Sequence, residues 1–199
     1  MAKPLERPWT LDEFFAWQEG QPDRYELVNG FPLKMMAGAK NVHDIIVVNI
    51  LAELRALLRG SGYRPFTGDG AVETYPGQIR RPDVGVDCGR SNPEGYKAEG
   101  PRLVAEVFSP TTRDFDSFSK LSEYMSIAGL AHIVFVEPNQ PLVSVWSRDD
   151  GGGWSDVRIS DLGAKVDLSA LGVSLAMQAI YEDVEFPTVF RPVSTEKAP

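Results

Sequence analysis

The sequence predicts an α/β or α+β domain in which a mixed β-sheet is flanked by helices. Short apolar segments rich in β-branched residues recur along the chain, and a few amphipathic helical segments separate them. One helical segment lies between two apolar strands, and this order, from Arg102 to Val136, gives a right-handed crossover if the strands are parallel neighbours. A length of 199 residues fits one domain. We expect that domain to span residues 9–185, with loose termini at 1–8 and 186–199.

The N-terminal elements have local signatures. Thr10 and Glu13 form a capping box, which predicts a helix that ends near Gly20. A β-hairpin should follow, because Asn29-Gly30 is a tight-turn dipeptide between two extended segments at 24–28 and 31–36.

The remaining elements follow from hydrophobic periodicity. Asn41 is the expected cap of a longer helix that runs to about Arg59 and stops at Gly60. In chain order we then expect strands at 71–75, 81–87 and 102–108, a helix at 116–128, strands at 133–136, 142–147 and 154–159, and a short amphipathic helix near 174–183.

Composition excludes several classes of protein. Apolar residues make up 43% and charged residues 24% of the chain, as in ordinary globular domains, so disorder is not expected. No apolar run approaches the roughly 18 residues of a membrane span, and residues 1–7 lack the apolar core of a secretory signal. Cys88 is the single cysteine, which rules out an internal disulfide and a cysteine-based zinc cage. We therefore expect a cytoplasmic protein without a membrane partner.

The net charge of −8 counts against nucleic-acid binding, because proteins that grip DNA usually carry a basic surface. A local basic stripe remains open within an acidic chain. Its candidates are Arg80, Arg81, Arg102, Arg113 and Lys120. Composition alone favours a solvated surface of mixed charge.

Two carboxylates stand in positions that suggest chemistry. Asp83 follows Pro82 at the start of a strand, where a site can open at the sheet edge. Glu106 lies inside an apolar run that indicates a strand buried on both faces. Because a buried carboxylate is costly, Glu106 needs a metal ion, a cationic partner or a proton. Two carboxylates on neighbouring strands suit Mg²⁺, which takes one or two carboxylates and fills its other positions with water or phosphate.

A purely structural alternative stays open for both residues. Asp83 could cap a turn, and Glu106 could pair with an arginine such as Arg81. Taken singly, these residues favour the structural alternative, since perturbed carboxylates are often structural.

A set of short motifs, in one order, resembles a known family. The segments are 24–30 (Arg-Tyr-Glu-Leu-Val-Asn-Gly), His43 near a helix start, Pro82-Asp83, 106–113 (Glu-Val-Phe-Ser-Pro-Thr-Thr-Arg), Asp116, Lys120 and Tyr124. Together they resemble the Uma-type family of restriction-endonuclease-like proteins, a former domain of unknown function in the PD-(D/E)xK nuclease superfamily. The resemblance spans roughly residues 11–181 and implies a restriction-endonuclease-like fold.

The resemblance implies roles for individual residues. Asp83 and Glu106 would be metal ligands and catalytic residues. Phe108 stands where the superfamily pattern has lysine, and Lys120 on the following helix matches the migrated catalytic lysine. Glu26 matches a family glutamate and would be a third acid that faces the metal.

Three further residues, His43, Asp116 and Tyr124, are possible accessories to the site. His43 matches a recurrent histidine of the family, although a surface position is equally open; His132 begins an apolar strand and is expected to be structural. Asp116, Lys120 and Tyr124 share one helix face by their spacing. The core stripe of that helix is predicted to be Phe118, Leu121, Met125 and Ala128. Lys120 lies off that stripe, so it reaches either a cleft or solvent, and Tyr124 is either a core-edge aromatic or a hydrogen-bonding helper.

The leading hypothesis is an endodeoxyribonuclease that depends on Mg²⁺, with Mn²⁺ as a substitute, and hydrolyses phosphodiester bonds in DNA. A second hypothesis is a nuclease-like fold that serves as a binding or regulatory module with little turnover, which the acidic charge favours. A third is a structural partner whose acidic surface binds a basic protein. Because both DNA strands are often cut by paired nucleases, a homodimer is expected by analogy.

Overall fold

A computed structural model describes residues 7–35, 40–108 and 115–186, with the side chains of the third α-helix described from Ser119 onward. Four α-helices occur in this part of the chain: α1 (Leu11–Gln18), α2 (Asn41–Leu57), α3 (Phe115–Met125) and α4 (Met177–Ile180). The first six strands are β1 (Tyr25–Val28), β2 (Phe31–Lys34), β3 (Arg64–Thr67), β4 (Val72–Glu73), β5 (Ile79–Arg80) and β6 (Val84–Asp87). The other six are β7 (Pro101–Val107), β8 (His132–Glu137), β9 (Leu142–Arg148), β10 (Trp154–Ile159), β11 (Lys165–Leu168) and β12 (Val173–Ala176).

The predicted mixed sheet is confirmed. Six strands form the main sheet in the order β10-β9-β8-β7-β6-β3, and a smaller sheet has the order β2-β1-β5-β4. Within the main sheet β7 and β8 pair in parallel, whereas the other described neighbours are antiparallel. The parallel pair is joined through α3, which is the strand–helix–strand unit expected from the sequence.

The two faces of the main sheet carry different cores. Leu103, Ala105 and Val107 of β7 pack into a large apolar cluster with α2, which contributes residues such as Ile50 and Leu54. Val104, between them in the sequence, belongs to the cluster on the opposite face, beside the end of α3. Because side chains alternate along a strand, Glu106 also points toward the α3 face.

The N-terminal helix and hairpin predicted from the capping box and the tight turn are both present, and the hairpin strands β1 and β2 belong to the smaller sheet. Thr10 Oγ1 accepts from the Glu13 N–H at 3.3 Å, and the Glu13 carboxylate accepts from the Thr10 N–H at 2.9 Å. In the hairpin turn Asn29 and Gly30 have φ of 51° and 79°. A Cβ on Gly30 would lie 2.5 Å from Pro8 Cβ, so the close approach of the preceding chain also requires glycine.

Several predicted boundaries are wrong. Asn41 is the first residue of α2 rather than its cap; Lys40 holds the cap position and, having no acceptor, makes no side-chain capping bond. The helix predicted near 174–183 is short, because residues 173–176 form β12, which pairs with β11. The pattern also missed β3, β5 and β11, which are too short for periodicity to separate from loops.

No helix in the described ranges is both long and apolar enough to cross a membrane. The expected loose ends, 1–8 and 186–199, lie almost entirely outside the described residues.

Candidate active site at the ends of β6 and β7

Asp83 immediately precedes β6 and joins its end to β7. Its Oδ2 accepts the backbone N–H of Val107 at 2.8 Å, and β6 pairs with β7 so that Val84 lies opposite Ala105. This register puts Asp83 beside Glu106 on the neighbouring strand. The His43 Nε2 atom lies 3.3 Å from the same Oδ2, so α2 also reaches the site. The hydrogen bond with Asp83 raises the pKa of His43, although burial opposes the shift.

Glu106 is a buried carboxylate with named partners. Its Oε1 accepts from the Tyr124 hydroxyl at 2.6 Å and from Lys120 Nζ at 3.2 Å. Burial raises the pKa of Glu106 to about 7; the charge of Lys120 and the hydrogen bond from Tyr124 oppose the rise, and the charges of Asp83 and Glu26 add to it. Without a metal ion, burial therefore favours the protonated form of Glu106 more than water would.

The predicted core stripe of α3 is confirmed only in part: Leu121 and Met125 pack against the cluster beside Val104, but the helix also buries polar side chains, and Lys120 lies among these. Glu123 and Tyr124 are buried, while Ala128 is exposed and the Leu121 side chain is only partly buried. Lys120 lies one turn before Tyr124 on the buried side, and its side chain is only 15% exposed. A hydrophobic stripe could not reveal this face, because α3 packs part of its buried surface against carboxylates rather than apolar side chains. The side chains of Asp116 and Phe118 lie outside the described set.

Tyr124 turns out to combine both of the roles left open by the sequence. Its ring is fully buried in the cluster between α3 and the main sheet, and its hydroxyl donates to Glu106. Burial and the charge of Glu106 raise the pKa of Tyr124 well above its ordinary value, so it remains a neutral donor.

Glu26 lies behind Lys120, and both of its oxygens have partners. Oε2 accepts from Arg80 Nη1 at 2.7 Å, and Oε1 accepts from the backbone N–H of Arg81 at 3.0 Å. Lys120 Nζ lies 3.9 Å from the same Oε1. Glu26 therefore belongs to the charge network of the site, held by one hydrogen bond from Arg80 of β5 and one from Arg81 just after it.

Arg80 and Glu123 form an ion pair that the sequence analysis missed. Arg80 Nε and Nη2 each donate to one Glu123 oxygen at 2.7 Å, and both residues are buried. Burial alone would lower the pKa of Arg80, but its hydrogen bonds and charges with Glu123 and Glu26 raise it. The two residues are 43 positions apart, so no local spacing links them. The one available sequence signal for this ion pair was Glu123, an acid within one helical turn of Lys120 and Tyr124.

The proposed basic stripe is not formed by Arg80 and Arg81. Arg80 is buried between two carboxylates, and Arg81 is buried with its guanidinium donating to the carbonyls of Tyr25 and Asp69. Arg102 donates to the Gly129 carbonyl, and Arg113 lies outside the described residues. The two adjacent arginines are therefore internal cations: Arg80 at the end of β5 contacts Glu123 of α3, and Arg81 contacts backbone carbonyls near β1.

His132 lies away from this site. Its Nδ1 is 3.0 Å from Ser147 Oγ, and its Nε2 accepts the Ala170 N–H at 3.2 Å. Burial lowers the pKa of His132 to about 4, so the ring is neutral and structural at ordinary pH.

Comparison with known proteins establishes the family. A family model described as "Uma2: Putative restriction endonuclease" matches residues 11–178. The chain belongs to this family. The matched range includes Glu26, Asp83, Glu106 and Lys120, so the resemblance inferred from the ordered motifs is confirmed.

Two relatives of the Uma2 chain extend the comparison. The uncharacterized protein slr1290 of Synechocystis sp. is 27% identical over 182 residues, covering 88% of this chain and 92% of that protein. A crystal structure described as "a putative nuclease belonging to DUF820" from Anabaena variabilis has a TM-score of 0.66 at 18% identity, covering 87% of this chain and 97% of that one. This structural likeness shows that the two chains share a fold.

Proposed function

We propose that this Uma2-family chain is a metal-dependent endonuclease that hydrolyses phosphodiester bonds in DNA. The observation that carries the proposal is the meeting of Asp83, Glu106 and Lys120, which come from three different elements. The family description and the nuclease-like fold of the Anabaena protein support the same reaction class.

The donor set at this position fits a hard divalent ion. Asp83 and Glu106 would hold it through carboxylate oxygens, and the excess of acidic side chains around Glu106 favours a bound cation. Within the described ranges, no group of three or more His, Cys, Asp or Glu side chains is arranged to hold a metal. A closed zinc site needs such a group, whereas Mg²⁺ commonly uses one or two carboxylates with water and substrate phosphate. The chemistry that such an ion supplies is Lewis-acid activation of the phosphodiester and of the attacking water.

The chain's own residues would do the remaining work. Tyr124 holds Glu106 Oε1, and the Val107 N–H holds Asp83 Oδ2, so both carboxylates are oriented before substrate arrives. Lys120 Nζ, next to Glu106, would orient the water and offset the negative charge that develops on the phosphate. Glu26 would attract the Lys120 ammonium and help to hold it beside Glu106.

Titration of Mn²⁺ and Mg²⁺ into the parent chain and into Glu106→Gln, followed by plasmid cleavage with the same samples, tests the proposal. We expect binding and cleavage by the parent, both lost in Glu106→Gln, and both retained in Asp156→Asn, whose carboxylate is exposed on the edge strand β10. Metal binding without cleavage of DNA would support a regulatory module with an intact metal site. If the parent chain neither binds metal nor cleaves DNA, the proposal is overturned.

We further propose that two copies act together, since each site would cut one strand of a duplex. Analytical ultracentrifugation should then show a species of twice 22.0 kDa at the concentrations that support cleavage. A sedimentation profile with the 22.0 kDa species alone would remove the dimer and leave the active site unaffected.

A further inference from the structure

The guanidinium of Arg80 is the centre of a buried charge network behind the proposed active site. Its Nη1 donates to Glu26, and its Nε and Nη2 donate to the two oxygens of Glu123, each at 2.7 Å. The Arg80 side chain is 3% exposed. All three guanidinium nitrogens are therefore used, and one cation joins acids from β1 and α3.

The network reaches the proposed catalytic lysine by two routes. The first is electrostatic: Lys120 Nζ lies 3.9 Å from the Glu26 oxygen that Arg80 does not bind, and 3.2 Å from Glu106. The second is mechanical: Glu123 follows Lys120 by three residues and precedes Tyr124, so all three share one side of α3. Holding Glu123 fixes the rotation of the helix that presents Lys120 and Tyr124 to Glu106.

Contacts from the smaller sheet reinforce the same grip on α3. Thr74 Oγ1 donates to Glu123 Oε2 at 3.3 Å, and Ser126 Oγ donates to the Thr74 carbonyl at 3.0 Å. The helix is therefore held from one side by β4 and β5 and faces Glu106 of β7 on the other. A loss on the Arg80 side would be felt at Glu106 through a shift of α3.

We propose that Arg80 is a positioning residue of the nuclease site, which keeps Lys120 on Glu106 by fixing Glu26 and Glu123. The role rests on the proposed function, because it concerns the geometry of that same site. An arginine is required, since lysine is a point charge that cannot make a two-pronged contact to Glu123 and a third bond to Glu26.

The test is a double-mutant cycle in plasmid cleavage with Arg80→Lys and Lys120→Ala. We expect Arg80→Lys to lower kcat by about 10- to 100-fold in the parent, in the range of a misplaced catalytic group, with KM for DNA changed less than about twofold. In the Lys120→Ala background the same change should lower kcat by a clearly smaller factor, because only the effect that passes through Tyr124 remains. Arg64→Lys, in an ion pair with Asp87 at the other end of β6, is the matched control and should leave kcat unchanged.

Equal losses of kcat from Arg80→Lys in both backgrounds would show a general structural role and overturn the inference. Unchanged kcat in Arg80→Lys would also overturn the positioning role of Arg80. The proposed function would be unaffected by that result, because the parent still cleaves DNA. If Arg80→Lys does not fold by circular dichroism, Glu123→Gln replaces it in the same cycle, with the same expected coupling to Lys120. Absence of cleavage by the parent would instead remove the proposed function, and the positioning role with it.

Discussion

The two faces of strand β7 differ in the polarity of the side chains that they contact. On the α2 face Leu103, Ala105 and Val107 meet apolar side chains, whereas on the α3 face Glu106 meets a lysine, a tyrosine hydroxyl and two further acids. One strand of seven residues thus packs only apolar side chains on one side and combines an apolar residue, Val104, with the wall of a site on the other. Alternation along a strand lets these functions occupy the same backbone with little mutual cost.

The same contrast holds for ionisable groups. His132 shares the α2 face with Val134 and Val136 by alternation along β8, and burial keeps it neutral with both ring nitrogens in contact with polar groups. Glu106 is also buried, but its neighbours include Lys120 as well as Asp83, so neither protonation state is strongly favoured at neutral pH. Burial with satisfied polar partners suits a structural role at His132, whereas burial among conflicting charges makes Glu106 a candidate for chemistry.

The largest expected effect is on Glu106, where activity and stability should change in opposite directions. Glu106→Gln should reduce DNA cleavage by about 1000-fold or more, as expected for loss of an essential charged group. The folded-state pKa of about 7 is above the ordinary value of 4.5, so the stabilising proton is present below pH 4.5 and is lost as pH rises through 7. At pH 8 the neutral glutamine should therefore raise the free energy of unfolding of the metal-free chain by about 3 kcal/mol.

Urea unfolding at pH 8 with a chelator measures this gain in stability. At pH 4 the difference between Glu106→Gln and the parent should shrink toward zero, because the parent is then protonated at Glu106. A destabilised Glu106→Gln chain at pH 8 would mean that the Lys120 and Tyr124 contacts outweigh burial.

On the apolar face the reverse pattern is expected. Leu54 is fully buried on α2, and Leu54→Ala should lower the free energy of unfolding by about 3 kcal/mol through lost burial and a residual cavity. Its kcat, measured well below the melting temperature, should remain within about twofold of the parent. Val48→Ala, at a position 54% exposed on the same helix, is the matched control and should change stability by less than about 0.5 kcal/mol. A kcat that follows stability in Leu54→Ala would show that the two faces are coupled.

His132 should make the apolar side sensitive to acid. Its folded-state pKa of about 4 is below the ordinary 6.5, so its contribution to stability is present above pH 6.5 and is lost as pH falls through 4. Between pH 7.5 and 4.5 the parent should lose about 2 kcal/mol more than His132→Gln, measured by urea unfolding. Taking the difference between the two chains cancels the titration of the acids they share. Parallel pH profiles would indicate that the ring becomes protonated without cost.

The apolar face and part of the site could be predicted from the sequence for definite physical reasons. The helices and strands of the core have strong periodicity, and an acid inside an apolar run drew attention to Glu106 because its burial is costly. Periodicity left the direction of Lys120 open between a cleft and solvent, and the pairing of Arg80 with Glu123 was missed, because each depends on contacts between elements far apart in sequence. Hydrophobic periodicity assigns charged residues to solvent, and this rule fails where acids and bases bury one another.

The smallest effect expected on the polar face concerns the hydroxyl of Tyr124. Tyr124→Phe keeps the buried ring and removes the 2.6 Å hydrogen bond to Glu106. That hydrogen bond lowers the pKa of the Glu106 carboxyl, so its removal should raise this pKa. The acid limb of the pH profile of cleavage should therefore move to higher pH, and the free energy of unfolding should fall by about 1 kcal/mol. Tyr63→Phe is the control, since the Tyr63 hydroxyl bonds the Ala170 carbonyl at 3.3 Å, away from the site. An acid limb that stays in place in Tyr124→Phe would assign the limb to a group other than Glu106, and Tyr124 would then serve the core alone.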